Sequence, residues 1–504
     1  MSDARPNILL ITSDQQHWNT LGITNPEIRT PHLDRLAAEG TVFTNAFCVN
    51  PTCTPTRASI ITGTYPSQHG AWALGTKLPE SVPVVGDDLQ HGGYRTALVG
   101  KAHFQPLKGT DEYRSIECFP ALHDFDFWSK FNGPFYGFEH IEISRGHTDE
   151  NGVAAHYVLW LEENGCLNWR DYFRPPIGNN ETQRWRWLIP ERYHYSAWIA
   201  ERTNALLEQY ERNGERFFLW SSFFDPHPDY LVPEPWDAMY DPAGLTVPSI
   251  TPGEHDANPP HFAMTQQEKP DFSSWQEPGG NAMHGCHSHL VDRGDLARDI
   301  AVYYAMVSLM DKYIGAILAK LDELGLAEHT LVIFTTDHGH FFGQHGLTAK
   351  GPFHYHDMIK VPFIARMPGH VPAGRQTDAL VSLVDVAPTF LGFAGLDVPR
   401  TMTGVDQHDV LVGARDKIRD HVIVENHHQP TTIHLKTYFD GRYKITVYYN
   451  RDYGELFDLQ DDPGEVRNLW NSTQHAALKA RLLLKFLHAE MGKEPMWMPR
   501  IAVA

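Results

Sequence analysis

Cysteine is scarce: five of 504 residues, Cys48, Cys53, Cys118, Cys166 and Cys286, irregularly spaced. An odd, scattered set excludes a disulfide framework and leaves at least one thiol unpaired, which points to a reducing compartment. Positive charge is short as well: 42 Lys and Arg stand against 62 Asp and Glu, a formal net charge of −20. That balance excludes broad electrostatic binding to nucleic acid or anionic lipid, though not a local basic pocket. No apolar run approaches the ~18 residues of a membrane-spanning helix. Met1 to Pro6 passes directly into Asn7 to Thr12 without the basic, long-apolar and small-residue pattern of a signal peptide. Internal repeats and low-complexity tracts are also lacking. A cytoplasmic protein with no membrane or nucleic-acid partner is expected.

What the chain does have is the composition of a globular protein, 42% hydrophobic and 12% aromatic, with length enough for a large α/β core and a smaller appendage. Ile8 to Ser13 (ILLITS) is a continuous apolar, β-branched run of the kind buried on both faces of a parallel sheet. Similar runs recur at Thr96 to Val99, Phe217 to Phe224, Leu331 to Thr336 and Val361 to Ala365. Helical periodicity occupies Pro31 to Glu39, Ala197 to Tyr210 and Asp295 to Leu324, the last with a stripe of Val302, Met306, Leu309, Tyr313, Ile317 and Leu321. Strands alternating with helices predict an α/β fold. Past residue 420 the texture changes to short alternating strands at His421 to Glu425, Thr431 to Tyr438 and Tyr443 to Tyr449, then a helix near Gln474 to Met491. The expected division is therefore a catalytic domain over 1–419, with insertions near 105–195 and 230–292, and an α+β subdomain with a tail over 420–504.

Ligands in open α/β sheets bind at the carboxyl ends of strands, and the polar residues after the apolar runs form a consistent set. Asp14 and Gln15 follow the first run, Lys101 and His103 the second, Asp225 and His227 the third, Asp337 and His338 the fourth. Asp14, Asp337 and His338 are two carboxylates and an imidazole, suited to one divalent cation given further oxygen ligands. Cys53 stands where a loop enters a helix, a setting that lowers a thiol pKa, while position alone favours a buried, inert cysteine.

Cys53 to Arg57 reads CTPTR, and with the continuation ASIITGTYP it resembles the CxPxR signature of formylglycine-dependent sulfatases of the alkaline phosphatase superfamily. NILLITSDQ at the start, GYRTALVGKAHF at Gly93 to Phe104, FFDPHP at Phe223 to Pro228, TTDHGHFFGQHGLTAKG at Thr335 to Gly351 and ELFDLQDDPGEVRNL at Glu455 to Leu469 extend the resemblance over most of the chain. Thr56 stands where the signature most often has a smaller residue. The pairing of Asp14-Gln15 with Asp337-His338 resembles choline sulfatases and phosphonate monoester hydrolases.

The resemblance implies a large, mainly parallel sheet between helices, alkaline phosphatase-like, with a smaller C-terminal antiparallel sheet and helix. It implies that Cys53 is oxidised to formylglycine by a formylglycine-generating enzyme, and that one divalent cation, Ca²⁺ or Mn²⁺, sits between Asp14, Gln15, residue 53, Asp337 and His338. The implied reaction is hydrolysis of a small-molecule sulfate ester through a covalent sulfo-enzyme intermediate. Arg57 would hold the nucleophile loop, and Lys101, His103, His227 and Lys350 would surround the oxyanion. His103 would serve as base for release of sulfate, and His227 or Lys350 would protonate the leaving alcohol. The alternatives are a phosphonate monoester or phosphodiester hydrolase with the same nucleophile and, more remotely, a catalytically silent binding protein. His345, His354 and His356 are expected to be structural or pocket-lining. Trp185, Trp187, Tyr193, Tyr195 and Trp198 are either a cleft wall or core. The apolar tail Pro495 to Ala504 is expected to dock on its own chain or on another subunit of a homo-oligomer.

Overall fold

The computed structural model describes residues 5–174, 184–277, 292–428 and 431–502. In it the apolar runs become strands of one large sheet. β1 (Asn7–Ser13), β2 (Thr41–Phe47), β3 (Arg95–Lys101), β4 (His140–Ser144), β5 (Phe217–Ser222) and β6 (Thr330–Thr336) are followed by the short β7 (Phe341–Phe342), β8 (Thr348–Ala349) and β9 (Lys360–Val361), then by β10 (Phe363–Arg366) and β11 (Arg375–Ser382). The order across the large sheet is β11-β2-β10-β6-β1-β5-β3-β4, with β9 added against β2, while β7 and β8 pair with each other. β1 is parallel to β5 and β6, and β3 to β5 and β4. β10 runs against both β2 and β6, so those two strands share a direction. The carboxyl ends of β1 to β6 therefore line one edge, which gathers residues distant in sequence.

Alternation along the strands feeds two apolar layers. Ile8, Leu10, Phe218, Trp220, Leu331 and Ile333 face a layer that includes Ala58, Ile60, Ile61, Leu89 and Phe390 from the helices Cys53–Thr62, Val85–His91 and Val386–Phe393. Leu9, Ile11, Leu219, Val332 and Phe334 face the helices Pro31–Ala38, Ala155–Glu163, Tyr195–Asn213 and Arg293–Glu323. The last helix is long and apolar enough to cross a membrane, and its Met306, Leu309, Ile317 and Leu321 are buried in this layer. Gly100, in β3 beside β5, has φ +107°, and a Cβ there would lie 1.9 Å from the carbonyl oxygen of Ser222. A glycine is what lets these two strands end side by side.

A second sheet, β12 (Val422–His427), β13 (His434–Phe439), β14 (Tyr443–Tyr448) and β15 (Gly454–Asp458), is antiparallel in sequence order and packs on the helix Ala476–Gly492. Its β15 comes from the ELFD segment. The outer edge of β12 grips the loop before Cys53: Glu425 N–H donates to the Val49 carbonyl at 2.8 Å and the Asn50 amide to the Glu425 carbonyl at 2.6 Å.

The structure corrects several expectations. The stretch 105–195 is not wholly an insertion, because it supplies β4 and the core helix Ala155–Glu163. Pro362 splits the strand expected at Val361 to Ala365 into β9 and β10, since proline cannot donate to a ladder. β2, β4 and β11 lie outside the runs read as strands; their mixed polar and apolar residues carry no continuous apolar signal. Within 230–292, residues 278–291 fall outside the described residues, and Cys286 with them; the other four cysteines are free and buried. Met496, Trp497, Met498 and Ile501 are exposed, so the tail does not dock on its own chain; residues 503–504 are outside the described part.

Candidate active site

The register Ser13↔Thr336 between β1 and β6 makes the next residues, Asp14 and Asp337, neighbours at the strand ends. Asp14 N–H is tied to the Asp225 carbonyl at 3.0 Å. Gln15 then turns with φ +59° so that its N–H reaches Asp337 Oδ1 at 2.9 Å. A left-handed glutamine costs of order 1 kcal/mol and persists only where surrounding bonds over-determine it.

Cys53 is the first residue of the buried helix Cys53–Thr62. Its Sγ lies 3.2 Å from His338 Nε2, 3.6 Å from Asp14 Oδ1 and 3.5 Å from Lys350 Nζ. Arg57, one turn later on the same face, is fully buried and binds Asp337 Oδ2 at 2.9 Å through Nε. Its Nη1 reaches the Lys101 carbonyl at 3.0 Å and Ser222 Oγ at 2.8 Å. Arg57 thus ties the helix that begins at Cys53 to three strand ends. Of the two readings of Cys53, a thiol activated by the helix N-terminus or a buried, inert one, the structure agrees with the second. Burial, with Asp14 and Asp337 adding to it, pushes the thiol up to about 11 against the pull of Lys350 and Lys101.

Lys101 Nζ lies on Asp14 Oδ2. Burial works to raise the Asp14 pKa, but Lys101, His227, Arg57 and Lys350 hold this carboxylate well below its usual range. Lys350 Nζ also approaches His227 Nε2 at 3.4 Å, while His227 Nδ1 donates to the Pro228 carbonyl. Burial first, then the charge of Lys101, keeps His227 neutral. His103, with φ +63°, is kept neutral by burial and then by Arg145, Lys101 and Arg57.

The donor set fits a divalent cation. Ligand atoms of Asp14, Cys53, Asp337 and His338 lie within 4.8 Å of one another, all buried. His338 Nδ1–H donates to the Gly339 carbonyl at 3.0 Å, which leaves the Nε2 lone pair facing the cluster, and burial lowers its pKa to about 4. Gln15 stands differently: its amide nitrogen is bonded to His340 Nδ1 at 2.9 Å, whereas its Oε1 is buried without a partner, an oxygen available to an ion. Two carboxylates, one neutral imidazole and an amide oxygen are a donor set suited to one divalent cation.

The ten site residues singled out in the sequence, Asp14, Gln15, Cys53, Arg57, Lys101, His103, His227, Asp337, His338 and Lys350, therefore meet at this edge. Three more were not. Arg145 follows β4, and Glu117 receives the backbone N–H groups of His103 and Gln105 at 2.8 and 2.7 Å. His147 Nε2 donates to the His227 carbonyl at 3.0 Å. Their only signal was the end of β4, a short strand (HIEIS) too polar to stand out. Asp225 is not a cation ligand here; Tyr195 and Ser196 hydroxyls bind its two oxygens. Tyr195, Trp198 and Trp187 are core residues, and His345 and His354 hydrogen-bond Glu254 and Thr437.

Comparison with known proteins agrees with this geometry. The family model for sulfatases matches residues 6–396, and that for the C-terminal region of N-sulphoglucosamine sulphohydrolase matches 343–491. An arylsulfatase of Clostridium perfringens is 27% identical over 94% of this chain and 91% of its own. A multifunctional alkaline phosphatase superfamily protein of Trinickia caryophylli is 26% identical over 94% and 93%. The solved phosphonate monoester hydrolase of Agrobacterium radiobacter shares the fold at a TM-score of 0.80, 24% identity, covering 99% of this chain and 98% of its own. The chain belongs to the sulfatase family, enzymes that hydrolyse sulfuric esters on an alkaline phosphatase-like scaffold.

Proposed function

We propose that the protein hydrolyses small-molecule sulfate esters, with residue 53 as nucleophile after a formylglycine-generating enzyme has converted its thiol to an aldehyde. The observation that carries this reading is the placement of Cys53 among Asp14, Asp337 and His338 with Lys350 above it. A thiol pushed up to about 11 is a poor nucleophile at neutral pH, which favours conversion of the side chain over its direct use. Hydrated formylglycine would supply two geminal hydroxyls, one to attack sulfur and one to expel sulfate; Asp14, Gln15, Asp337 and His338 would hold a divalent cation, whose charge would acidify the first.

The chain's own groups do the rest. Lys101 and Lys350 stabilise charge on the sulfuryl oxygens. Lys350 or His227 delivers a proton to the oxygen of the leaving alcohol; Lys350 Nζ lies on His227 Nε2, and His227 has its Nδ1 proton on Pro228. His103, also neutral, accepts the proton of the second hydroxyl. Arg57 fixes Asp337 and the helix bearing residue 53.

A second reading, hydrolysis of phosphonate monoesters or phosphodiesters, is favoured by the Asp14-Gln15 and Asp337-His338 pairing. Both substrate classes carry one negative charge, so activity decides. The test is kcat/KM on 4-nitrophenyl sulfate against a matched nitrophenyl phenylphosphonate, with Cys53→Ala as blank and the peptide mass of residue 53 measured in parallel. A ratio well above one supports the sulfatase reading and a ratio well below one replaces it with the phosphonate reading. No turnover dependent on Cys53, with a mass showing the aldehyde, overturns both. Cys53→Ser is expected to fail in multiple turnover, because serine lacks the second hydroxyl; full steady-state activity would refute the mechanism.

A further inference from the structure

Four cationic side chains at this edge are nine-tenths or more buried: Arg57, Lys101, Lys350 and Arg145. Arg57 is paired with Asp337 and Lys101 with Asp14. Lys350 faces residue 53, where the scissile ester must sit. Arg145 is left over. It makes no hydrogen bond or ion pair among the described residues, and its Nε is buried with no partner. Glu117 acts on it by charge without touching it, its two oxygens being bound to the backbone N–H groups of His103 and Gln105. The register Lys101↔Ser144 between β3 and β4 sets Arg145 alongside Ala102 and next to His103, and His103 Nδ1 is likewise buried without a partner.

A buried guanidinium with no anion in contact keeps its desolvation cost largely unrecovered, and guanidinium is the group best shaped to take a carboxylate or sulfate through two parallel hydrogen bonds. A sulfate monoester brings a single negative charge, which Lys101 and Lys350 meet. We propose that Arg145, with His103 beside it, forms a second anion subsite, and that the natural substrate is an ester whose alcohol part bears a further anionic oxygen group, carboxylate or sulfate, close to the scissile ester. The naming of the substrate rests on the sulfate ester reading above; the subsite itself does not.

The test uses sulfonates, whose carbon–sulfur bond the enzyme does not hydrolyse, so binding is read without turnover. Calorimetric titration of the metal-loaded wild-type protein with benzenesulfonate, 2-sulfobenzoate and benzene-1,2-disulfonate is expected to show at least one dianion binding ~10-fold or more tighter than benzenesulfonate. Which dianion gains tells carboxylate from sulfate. Arg145→Met should abolish the gap and Arg145→Lys keep part of it, with Arg145→Gln as the polar substitute if the methionine variant folds poorly. A gap that is absent in the wild type, or that survives in Arg145→Met, overturns the subsite. Equal weakening of all three ligands also overturns it and makes Arg145 a distant counter-charge for Glu117. Turnover of 4-nitrophenyl sulfate on the same preparation keeps the readings apart, since its loss refutes the sulfatase reading while the binding gap stands or falls alone.

Discussion

In the small antiparallel sheet, Lys444 is fully buried, and its ammonium lies on Glu465 and on the His354 carbonyl. At the carboxyl edge of the large sheet Lys350 is 5% exposed and lies on a thiol and an imidazole. The contrast extends beyond these two. Glu425 on β12 takes Lys493 and Lys436 and the Ser67 N–H and hydroxyl, so its charge is met on every side. Arg145, by comparison, has no hydrogen bond or ion pair among the described residues, only the charge of Glu117 acting without contact. Both regions bury charge, but the small sheet pairs Lys444 and Glu425 within the chain, whereas the large sheet's edge pairs Arg57 and Lys101 and leaves Lys350 and Arg145 without a carboxylate in contact. Groups whose partners are internal hold the fold; groups whose partners are missing wait for a ligand.

Breaking each side of this contrast should give opposite results. The largest effect is expected for Asp337→Asn, which removes a cation ligand and the partner of Arg57 together. kcat/KM should fall by at least ~10³-fold, with bound metal by mass spectrometry falling in step. Lys444→Met leaves Glu465 buried and uncompensated, so stability in denaturant should drop by about 3–5 kcal/mol while kcat/KM per folded molecule holds. Lys350→Met is the mirror case: kcat should fall ~10²–10³-fold, and thermal stability should hold or rise, because an unpaired buried charge has gone. An equal loss of stability in both lysine variants would erase the distinction.

Glu425→Gln sharpens the contrast through pH. Burial opposes its ionisation, but Lys493 and Lys436 draw its pKa down to about 2. A depressed carboxylate stabilises the fold above its unfolded pKa of ~4.3, and that contribution, about 3 kcal/mol, is lost as pH falls from there towards about 2. Wild-type unfolding free energy should therefore decline steeply over this window, whereas Glu425→Gln should be less stable at pH ~7 and show a shallower decline. Parallel curves would assign acid sensitivity to other carboxylates.

Much of the site was legible because its residues sit directly after strands buried on both faces, where an apolar run stops at a polar residue. Asp14, Lys101, Asp337 and His338 were found in that way, and the CTPTR segment supplied Cys53 and Arg57. β2, β4 and β11 escaped because their residues mix polar and apolar types without a clear period, and with β4 went Arg145. The raised pKa of Cys53 had another cause. The helix N-terminus and the lysines favour the thiolate, but complete burial beside two carboxylates outweighs them, and burial is no property of the local sequence.

The sequence by itself determined the fold class, the family and the identity of the groups at the strand ends, since strand burial and motif order are written along the chain. Only the tertiary structure decided which buried charges are paired. Pairing depends on which strands lie side by side: β1 against β6 joins Asp14 to Asp337, and β3 against β4 brings an unpaired Arg145 to His103. Coulomb energy in a low-dielectric interior depends on distance in space rather than separation along the chain.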